Sequence, residues 1–406
     1  MNGGSDFMYK GLVESLVEKG GGSILLAVLD GLGDVAEPGC KTPLEAASTP
    51  NLDRLAGEGA LGQHIPISVG VTPGSGPAHL ALFGYDPVEF FVGRGILSAL
   101  GIGFPIEPGD MAARANFCTL DASGAVSDRR AGRIPTETCA ALSALLDGME
   151  IEDTKVFVKP EKEHRACVVF RGPGLSDRIG ETDPGVVGRP PLQAVPLEPE
   201  AGKTSRIVTE FLRRSREALA DHSPANGILL RGYAGYRPYP SMESRFAVRA
   251  AAAALYPMYR GVASLTGMQV LPCTTRDGQV AAAASALRDG FDFVFLHHKP
   301  TDSAGEDGDF EAKRAAVESF DAMLPGLVEA GFDVICVTGD HSTPCSMKLH
   351  SWHPVPLLVR GGPQRCGWSG TFCEREAARG ALGTLRAVEL MPLLLASAGR
   401  LAKYGA

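Results

Sequence analysis

One stretch near the C-terminal end constrains the fold more than any other. Asp333 to Val337 reads as a buried strand, β-branched and apolar after its first residue, bounded by Gly331 and by a turn at Thr338 and Gly339. Asp340 and His341 follow at once. Open α/β sheets bind ligands at strand ends, and an adjacent carboxylate and imidazole there can share one metal ion. The same step is also the ordinary form of a turn with a capping Asp, so the pair gains meaning only from what the rest of the chain brings to it.

A second run of the same kind spans Ser23 to Asp30, continuously apolar as in a strand covered on both faces, and it too ends in a carboxylate. Residues 1–22 read as a small N-terminal extension, with Leu12, Leu16 and Val17 on one side of a helix and a triple-glycine hinge at 20–22. Thr49 and Pro50 predict a helix start, and the Gly/Pro turn from Val71 to His79 runs into a short helix, Ala78 to Phe83. From about 108 to 275 the texture changes to short strands, such as Arg114 to Leu120, Ala166 to Phe170 and Gly227 to Leu230, with many arginines and a long helix from Lys203 to Ala220. The α/β alternation then resumes. It predicts a helix over 278–289, a strand Phe291 to His297, a helix over 310–330, the strand over 333–337, a strand Val355 to Val359 and a closing helix around 385–399. The expectation is an α/β fold, a mostly parallel sheet with helices on both faces, carrying an inserted smaller α/β domain. Its parts are 1–107, 108–275 for the insert, and 276–406.

Bulk properties fit this and exclude other classes. A chain of 406 residues is long for one core. A net charge of −8 without a long basic run argues against nucleic acid or an anionic membrane as partner. No window approaches a transmembrane span or a signal peptide. Nine scattered cysteines with no CxxC suggest neither a disulfide framework nor a zinc ribbon, and a reducing cytoplasm is the expected setting.

Candidate chemistry gathers at the ends of the predicted strands. Asp30 ends the first. Ser75 stands between two glycines in a turn, Asp302 and Glu306 follow the strand ending near His297, and His350 lies nine residues beyond His341. Each has a bland reading as a turn, loop or surface residue. Together at one sheet edge, Asp30, Asp302, Glu306, Asp340, His341 and His350 supply enough ligands for two metal sites. Ser75 would be a hydroxyl nucleophile that needs a base or a metal to lower its pKa. Other motifs fail. Gly31 and Gly33 begin a dinucleotide fingerprint, but position 36 is alanine; Gly202-Lys203-Thr204 has leucine at 197 where a phosphate-binding loop needs glycine; Gly74-Ser75-Gly76 lacks the spacing of a hydrolase elbow. His297 and His298 are neighbours on a strand, so at most one can reach a shared site.

In this order, the segments 30–34, 41–46, 49–55, 78–82, 84–87, 93–95, 128–134, 182–184 and 338–345, with Thr301-Asp302 and His350-Ser351, resemble the archaeal-type 2,3-bisphosphoglycerate-independent phosphoglycerate mutases of the alkaline phosphatase superfamily. The resemblance runs from about Ile24 to Ala406. It implies an isomerase that interconverts 3-phosphoglycerate and 2-phosphoglycerate through a phosphoserine on Ser75, with a two-domain clamp that keeps water out. One divalent ion would sit on Asp30, Ser75, Asp340 and His341, and another on Asp302, Glu306 and His350. Arg129, Arg130, Arg133, Arg165, Arg171 and Lys299 would bind a small phosphorylated carboxylic acid. The chain departs from the family pattern in having Glu306 for a histidine, Gly76-Pro77 after the serine, Ser98 for a glutamate, and Leu349 and His353 for aspartates. A carboxylate at 306 favours Mn²⁺ or Mg²⁺ over Zn²⁺ or Co²⁺. A phosphotransferase or phosphatase acting on another small substrate, such as a homoserine-kinase-like relative, shares this frame, as does a non-catalytic member.

Overall fold

The computed structural model describes residues 11–90, 93–363 and 370–405. They form two compact units. In chain order the strands are β1 (Ile24–Leu29) and β2 (Ala60–Ile65), then β3 (Met111–Leu120), β4 (Val126–Asp128), β5 (Met149–Ile151), β6 (Thr154–Lys162), β7 (Arg165–Arg171) and β8 (Gly227–Gly235). The last six are β9 (Ala250–Ala253), β10 (Gln269–Val270), β11 (Phe293–His298), β12 (Val334–Thr338), β13 (Val355–Arg360) and β14 (Gly383–Arg386).

The first unit comprises Met1–Phe91, Tyr239–Tyr259 and Thr266–Ala406 and is built on an eight-stranded sheet in the order β10-β9-β11-β1-β12-β13-β2-β14. β11, β1 and β12 run parallel with level C-terminal ends, since Leu29 pairs His298 and Val28 pairs Thr338. Every residue of these three strands is buried, as their uninterrupted apolar runs require. The sheet is mostly parallel, with β13 antiparallel to both of its neighbours.

The second unit, Val92–Pro238 with Arg260–Leu265, holds the six strands β3 to β8 and a separate core. The limits expected for the insert, 108 and 275, therefore move. The helix Arg94–Gly101 packs on β3, β7 and β8, and so belongs to this unit. β9, four alanines in a row, pairs in parallel with β11 and so returns to the first unit. Alanine is depleted in strands, so local composition did not mark it.

Other boundaries shift for local reasons. The helix expected over 310–330 is two, Phe310–Asp321 and Leu324–Glu329, with Pro325 in the first turn of the second, where its missing N–H is harmless. The closing helix shortens to Leu390–Ser397 because 383–386 pairs with β2. Asp302 and Glu306 lie on a helix, Pro300–Asp307, rather than in a loop. Thr49 does not cap with its hydroxyl. The first amides of the helix Pro50–Glu58 go instead to Asp321, whose Oδ1 accepts from Asn51 N at 3.1 Å and Leu52 N at 2.7 Å. Of the N-terminal extension, residues 1–10 lie outside the described residues, and the helix is Leu12–Leu16. The expected glycine hinge is tied down, with Gly22 N donating to Ala398 O at 2.7 Å and Arg400 Nε to Gly22 O at 2.8 Å.

Candidate metal centre

The level ends of β11, β1 and β12 deliver Lys299, Asp30 and Asp340-His341 to one edge of the first unit's sheet. The loops beyond are bound to each other. Ser342 bridges to Leu32, Gly33 and Ser351, which fixes His350 beside it. Lys313 is fully buried and donates to Gly33 O, Asp34 Oδ2 and Thr343 O at 2.9 to 3.0 Å. Its charge is matched by Asp34, and it joins the loops after β1 and β12. Gly31 has φ +63°, and a Cβ there would meet Thr343 Oγ1 at 2.5 Å and Asp302 Oδ1 at 2.8 Å, so only glycine lets the loop pass.

Three atoms converge on His341 Nε2. Asp340 Oδ2 lies at 3.2 Å, Ser75 Oγ at 3.2 Å and Asp30 Oδ1 at 3.4 Å. The other ring nitrogen, Nδ1, is 3.1 Å from Thr343 Oγ1, which itself donates to Asp302 Oδ1 at 2.8 Å. Thr343 thus accepts from Nδ1–H, and Nε2 carries the lone pair. Burial lowers the pKa of His341 and keeps it neutral. Burial works against the charge of both aspartates, yet Lys299 and His297 hold Asp30 well below the usual range, and His341 and His79 lower Asp340.

Each carboxylate has one oxygen engaged and one bare. Asp30 Oδ2 accepts from Tyr259 Oη, from His297 Nε2 at 3.1 Å and from Lys299 Nζ at 3.1 Å, while Oδ1 accepts nothing. Asp340 Oδ1 accepts from Gly31 N at 3.0 Å, while Oδ2 accepts nothing. Two bare anionic oxygens facing an imidazole lone pair in a buried site repel one another unless a cation lies between them. Asp30, Asp340 and His341 form one group able to hold a divalent ion, and the donor set fits such an ion.

A second group is Asp302, His341 and His350. The rings of His341 and His350 stack at 3.7 Å between centroids, and His350 Nδ1 is fixed 3.0 Å from Pro73 O. His350 Nε2 is 3.6 Å from Asp302 Oδ1 and 3.9 Å from Glu306 Oε1. Asp302 and Glu306 share a helix face, one turn apart, but Asp302 is buried and Glu306 has a side chain 55% exposed. Among the described residues His341, rather than Glu306, completes this tighter group.

Ser75 is the first residue of the helix Ser75–Leu82, three residues earlier than expected, so the positive end of the helix dipole lies at its side chain. Gly76 and Pro77 fall in the first turn, where proline loses no intrahelical hydrogen bond. His79 Nδ1 donates to Ser75 O at 2.8 Å, which holds the serine's turn, and the same nitrogen lies 3.2 Å from Asp340 Oδ2 without a hydrogen bond to it.

The comparisons with known proteins agree with one another. The model of the 2,3-bisphosphoglycerate-independent phosphoglycerate mutase family matches residues 56–226. A protein of Thermus thermophilus named a probable 2,3-bisphosphoglycerate-independent phosphoglycerate mutase is 50% identical over 401 residues, covering 97% of this chain and 99% of its own. One of Aquifex aeolicus with the same name is 46% identical, covering 97% and 100%. The chain belongs to this family. Among solved structures, a Pyrococcus horikoshii protein superposes with a TM-score of 0.81 at 33% identity over 95% of this chain and 100% of its own. The cofactor-independent phosphoglycerate mutase of Thermoplasma acidophilum gives 0.71 at 33% identity, over 93% and 100%.

The arginines that the mutase resemblance singles out divide within the second unit. Arg129 is bidentate to Asp183 at 2.9 and 2.8 Å. Arg171 is held by Asp110, Glu107 and Pro105 O. These two are committed to the protein. Arg130 and Arg133 are exposed on a turn where Ala131, Gly132 and Arg133 all have positive φ, an arrangement costly for the two non-glycine residues. Asp128 supports that turn by accepting from Arg130 N and Gly132 N. Arg165 is half-buried. Lys299, in the first unit, bridges Asp30 and Asp302, and those carboxylates overcome burial to hold it charged.

Sequence reasoning missed several neighbours. It does not single out Tyr259, and it places His79 only at the end of the Gly/Pro turn that runs into a helix. His297, left open, reaches Asp30, whereas His298 turns away to Ala316 O at 3.0 Å, as strand alternation requires. His64 is buried with Nε2 at 3.0 Å from Gly339 O, and burial takes its pKa down to about 4, so it supports the turn before Asp340 as a neutral donor. In the second unit Arg231 is desolvated beside Arg114, Arg94 and Arg129, and both effects lower its pKa. His353 stacks on Trp352 and pairs with Ser351, outside both metal-holding groups. Ser98 donates to Glu161 at 3.3 Å, so a carboxylate stands beside the position where the family has one in sequence.

Proposed function

We propose that this chain is a 2,3-bisphosphoglycerate-independent phosphoglycerate mutase that interconverts 3-phosphoglycerate and 2-phosphoglycerate through a phosphoserine at Ser75. The observation that carries the reading is the buried convergence of Ser75 Oγ, Asp30 Oδ1 and Asp340 Oδ2 on the bare Nε2 of His341, in a chain of this family. Asp30, Ser75, Asp340 and His341 would hold one divalent ion, and Asp302, Glu306 and His350 another, with His341 positioned to serve both. Such ions lower the pKa of a hydroxyl and neutralise phosphoryl oxygens. Manganese or magnesium suits the oxygen-rich set.

In the first half-reaction a new P–O bond forms to Ser75 Oγ as the bond to the C3 oxygen breaks. The proton that the serine gives up returns to that C3 oxygen, leaving glycerate and a phosphoserine. In the second, the 2-hydroxyl takes the phosphoryl group and the serine regains its proton. The chain contributes position and charge. The helix start presents Ser75 and its dipole, His79 holds the backbone of that turn, and Lys299 stands as a fixed cation beside Asp30 and Asp302. Arg130, Arg133 and Arg165 are the arginines left to meet the substrate's carboxylate or phosphate in bidentate fashion. A coupled assay tests the reading. Protein supplied with Mn²⁺ or Mg²⁺ is expected to convert 3-phosphoglycerate to 2-phosphoglycerate without added 2,3-bisphosphoglycerate. Absence of turnover with Mn²⁺, Mg²⁺, Co²⁺ and Zn²⁺ alike would overturn it, and release of inorganic phosphate instead would favour a phosphatase.

A further inference from the structure

The second unit carries a cleft of about 700 Å³ that the proposed reaction does not use. One wall is the loop 189–196, the other is the helix Gly202–Leu219, and Leu120, Gly227 and Ile228 close the bottom. Its volume lies within the range of pockets that enclose small organic ligands.

The loop wall is held in place. Leu192 N donates to Thr182 O at 2.9 Å, Gly180 N to Val195 O at 2.8 Å, Val126 N to Arg189 O at 2.9 Å, and Ser205 Oγ to Ala194 O. Its backbone is thus pinned on three sides, yet Leu192 and Val195 remain 49% and 47% exposed. A loop that is anchored by its main chain and leaves large apolar side chains bare, flanked by Pro190, Pro191 and Pro196, is a preformed apolar surface.

The helix wall has a matching face. Ser205, Thr209, Leu212 and Arg216 follow the i, i+4, i+7, i+11 rhythm of one helical stripe. The adjoining face, Ile207, Val208, Phe211 and Leu219, lies in the unit's core, and Leu212 packs against its edge. At the end of the stripe, the Arg216 guanidinium lies against Gly124, where a Cβ would come within 2.9 Å of Nη2. Its neighbour Arg213 is tied to Glu210 and Glu217. Arg216 has no ion-pair partner among the described residues.

The geometry points to a binding site for a small amphipathic anion. Its apolar body lies between Leu192, Val195 and Leu212, and its carboxylate, sulfonate or phosphate pairs with Arg216. The test uses 8-anilino-1-naphthalenesulfonate as the probe on the full chain, with fluorescence titration and hydrogen exchange. The expected result is one saturable site, with slowed exchange in 189–196. Arg216→Gln weakens binding about tenfold. Leu192→Ser also weakens it, and Thr209→Trp, on the solvent face of the helix, blocks it. All three variants keep the circular dichroism and the mutase turnover of the parent. Binding that does not saturate, or that survives both Arg216→Gln and Thr209→Trp, overturns the proposal. Sedimentation that shows a concentration-dependent dimer excluding the probe also overturns it, and assigns the face to a second copy of the chain.

Discussion

Tyr259 donates its hydroxyl hydrogen to Oδ2 of Asp30, and Oδ1 of the same carboxylate accepts no hydrogen bond. The phenol ring also stacks on His297, 3.5 Å between centroids, and His297 donates to the same Oδ2. One oxygen is saturated so that the other is free and aimed at His341. Groups that orient a ligand in this way are worth about 10- to 100-fold in metal affinity. Tyr259→Phe keeps the stacking ring and removes only the donor. Calorimetric titration with Mn²⁺ is expected to show a loss of about that size with an unchanged melting profile. Equal affinity would show that the phenol does not direct Asp30.

Glu306 is the position where this chain departs most from the histidine expected of its family. A carboxylate there is a harder ligand than imidazole. Glu306→His is therefore expected to move the preference from Mn²⁺ toward Zn²⁺, by about tenfold or more in competition experiments. An unchanged ratio would place Glu306 outside the coordination set, in keeping with its 3.9 Å separation from His350 and its exposure.

Glu374 supplies a pH test away from the metal ligands. Its carboxylate accepts from Thr42 Oγ1 at 2.8 Å and Asp34 N at 3.3 Å, and burial raises its pKa to about 7. The folded protein then holds a proton that the unfolded chain has released between pH 4.5 and about 7. Stability from this group is full below pH 4.5 and falls as pH rises through 7. Glu374 is partly accessible to solvent, so the effect is discounted to about 1–2 kcal/mol. Glu374→Gln is expected to flatten that part of the urea-unfolding profile and to be the more stable protein at pH 8. A variant whose profile still falls as steeply contradicts the assignment.

Asp321 caps a helix from 270 residues away. It is buried, and it serves Asn51 N, Leu52 N and Asn51 Nδ2 together. Asp321→Ala leaves two amides at a buried helix start without acceptors, which costs about 2–4 kcal/mol. The denaturation midpoint should fall accordingly while turnover of the folded fraction is retained. A change below about 0.5 kcal/mol would mean that water or Thr49 takes over the cap.

These residues also show what a sequence can and cannot reveal. Asp30, Asp340 and His341 were legible because each ends an unbroken apolar run, and such runs mark central parallel strands whose ends bind ligands. Ser75 was legible from its flanking glycines, although its place as first residue of a helix was not. Tyr259 and His79 sit on helices whose apolar neighbours hide them as core residues, and their role depends on which atoms they meet across the sheet. Lys313 reads as a surface lysine on a polar helix, yet its ammonium is buried against Gly33, Asp34 and Thr343, partners that only the tertiary fold brings to it. β9 has no strand composition at all, since pairing with β11 rather than propensity makes it a strand. Arg129 and Arg171 match a family pattern, but only the structure shows their guanidiniums already paired with Asp183 and Asp110.

The central claim is that Ser75 itself carries the phosphoryl group between the two positions of the substrate. Acid-quenched protein, supplied with Mn²⁺ and 3-phosphoglycerate, can be digested and its peptides weighed. A phosphoryl adduct on Ser75, formed as fast as turnover and absent from an inactive Ser75→Ala variant, is the predicted result. Mutase turnover that persists in Ser75→Ala, or an adduct found on another residue, would contradict it.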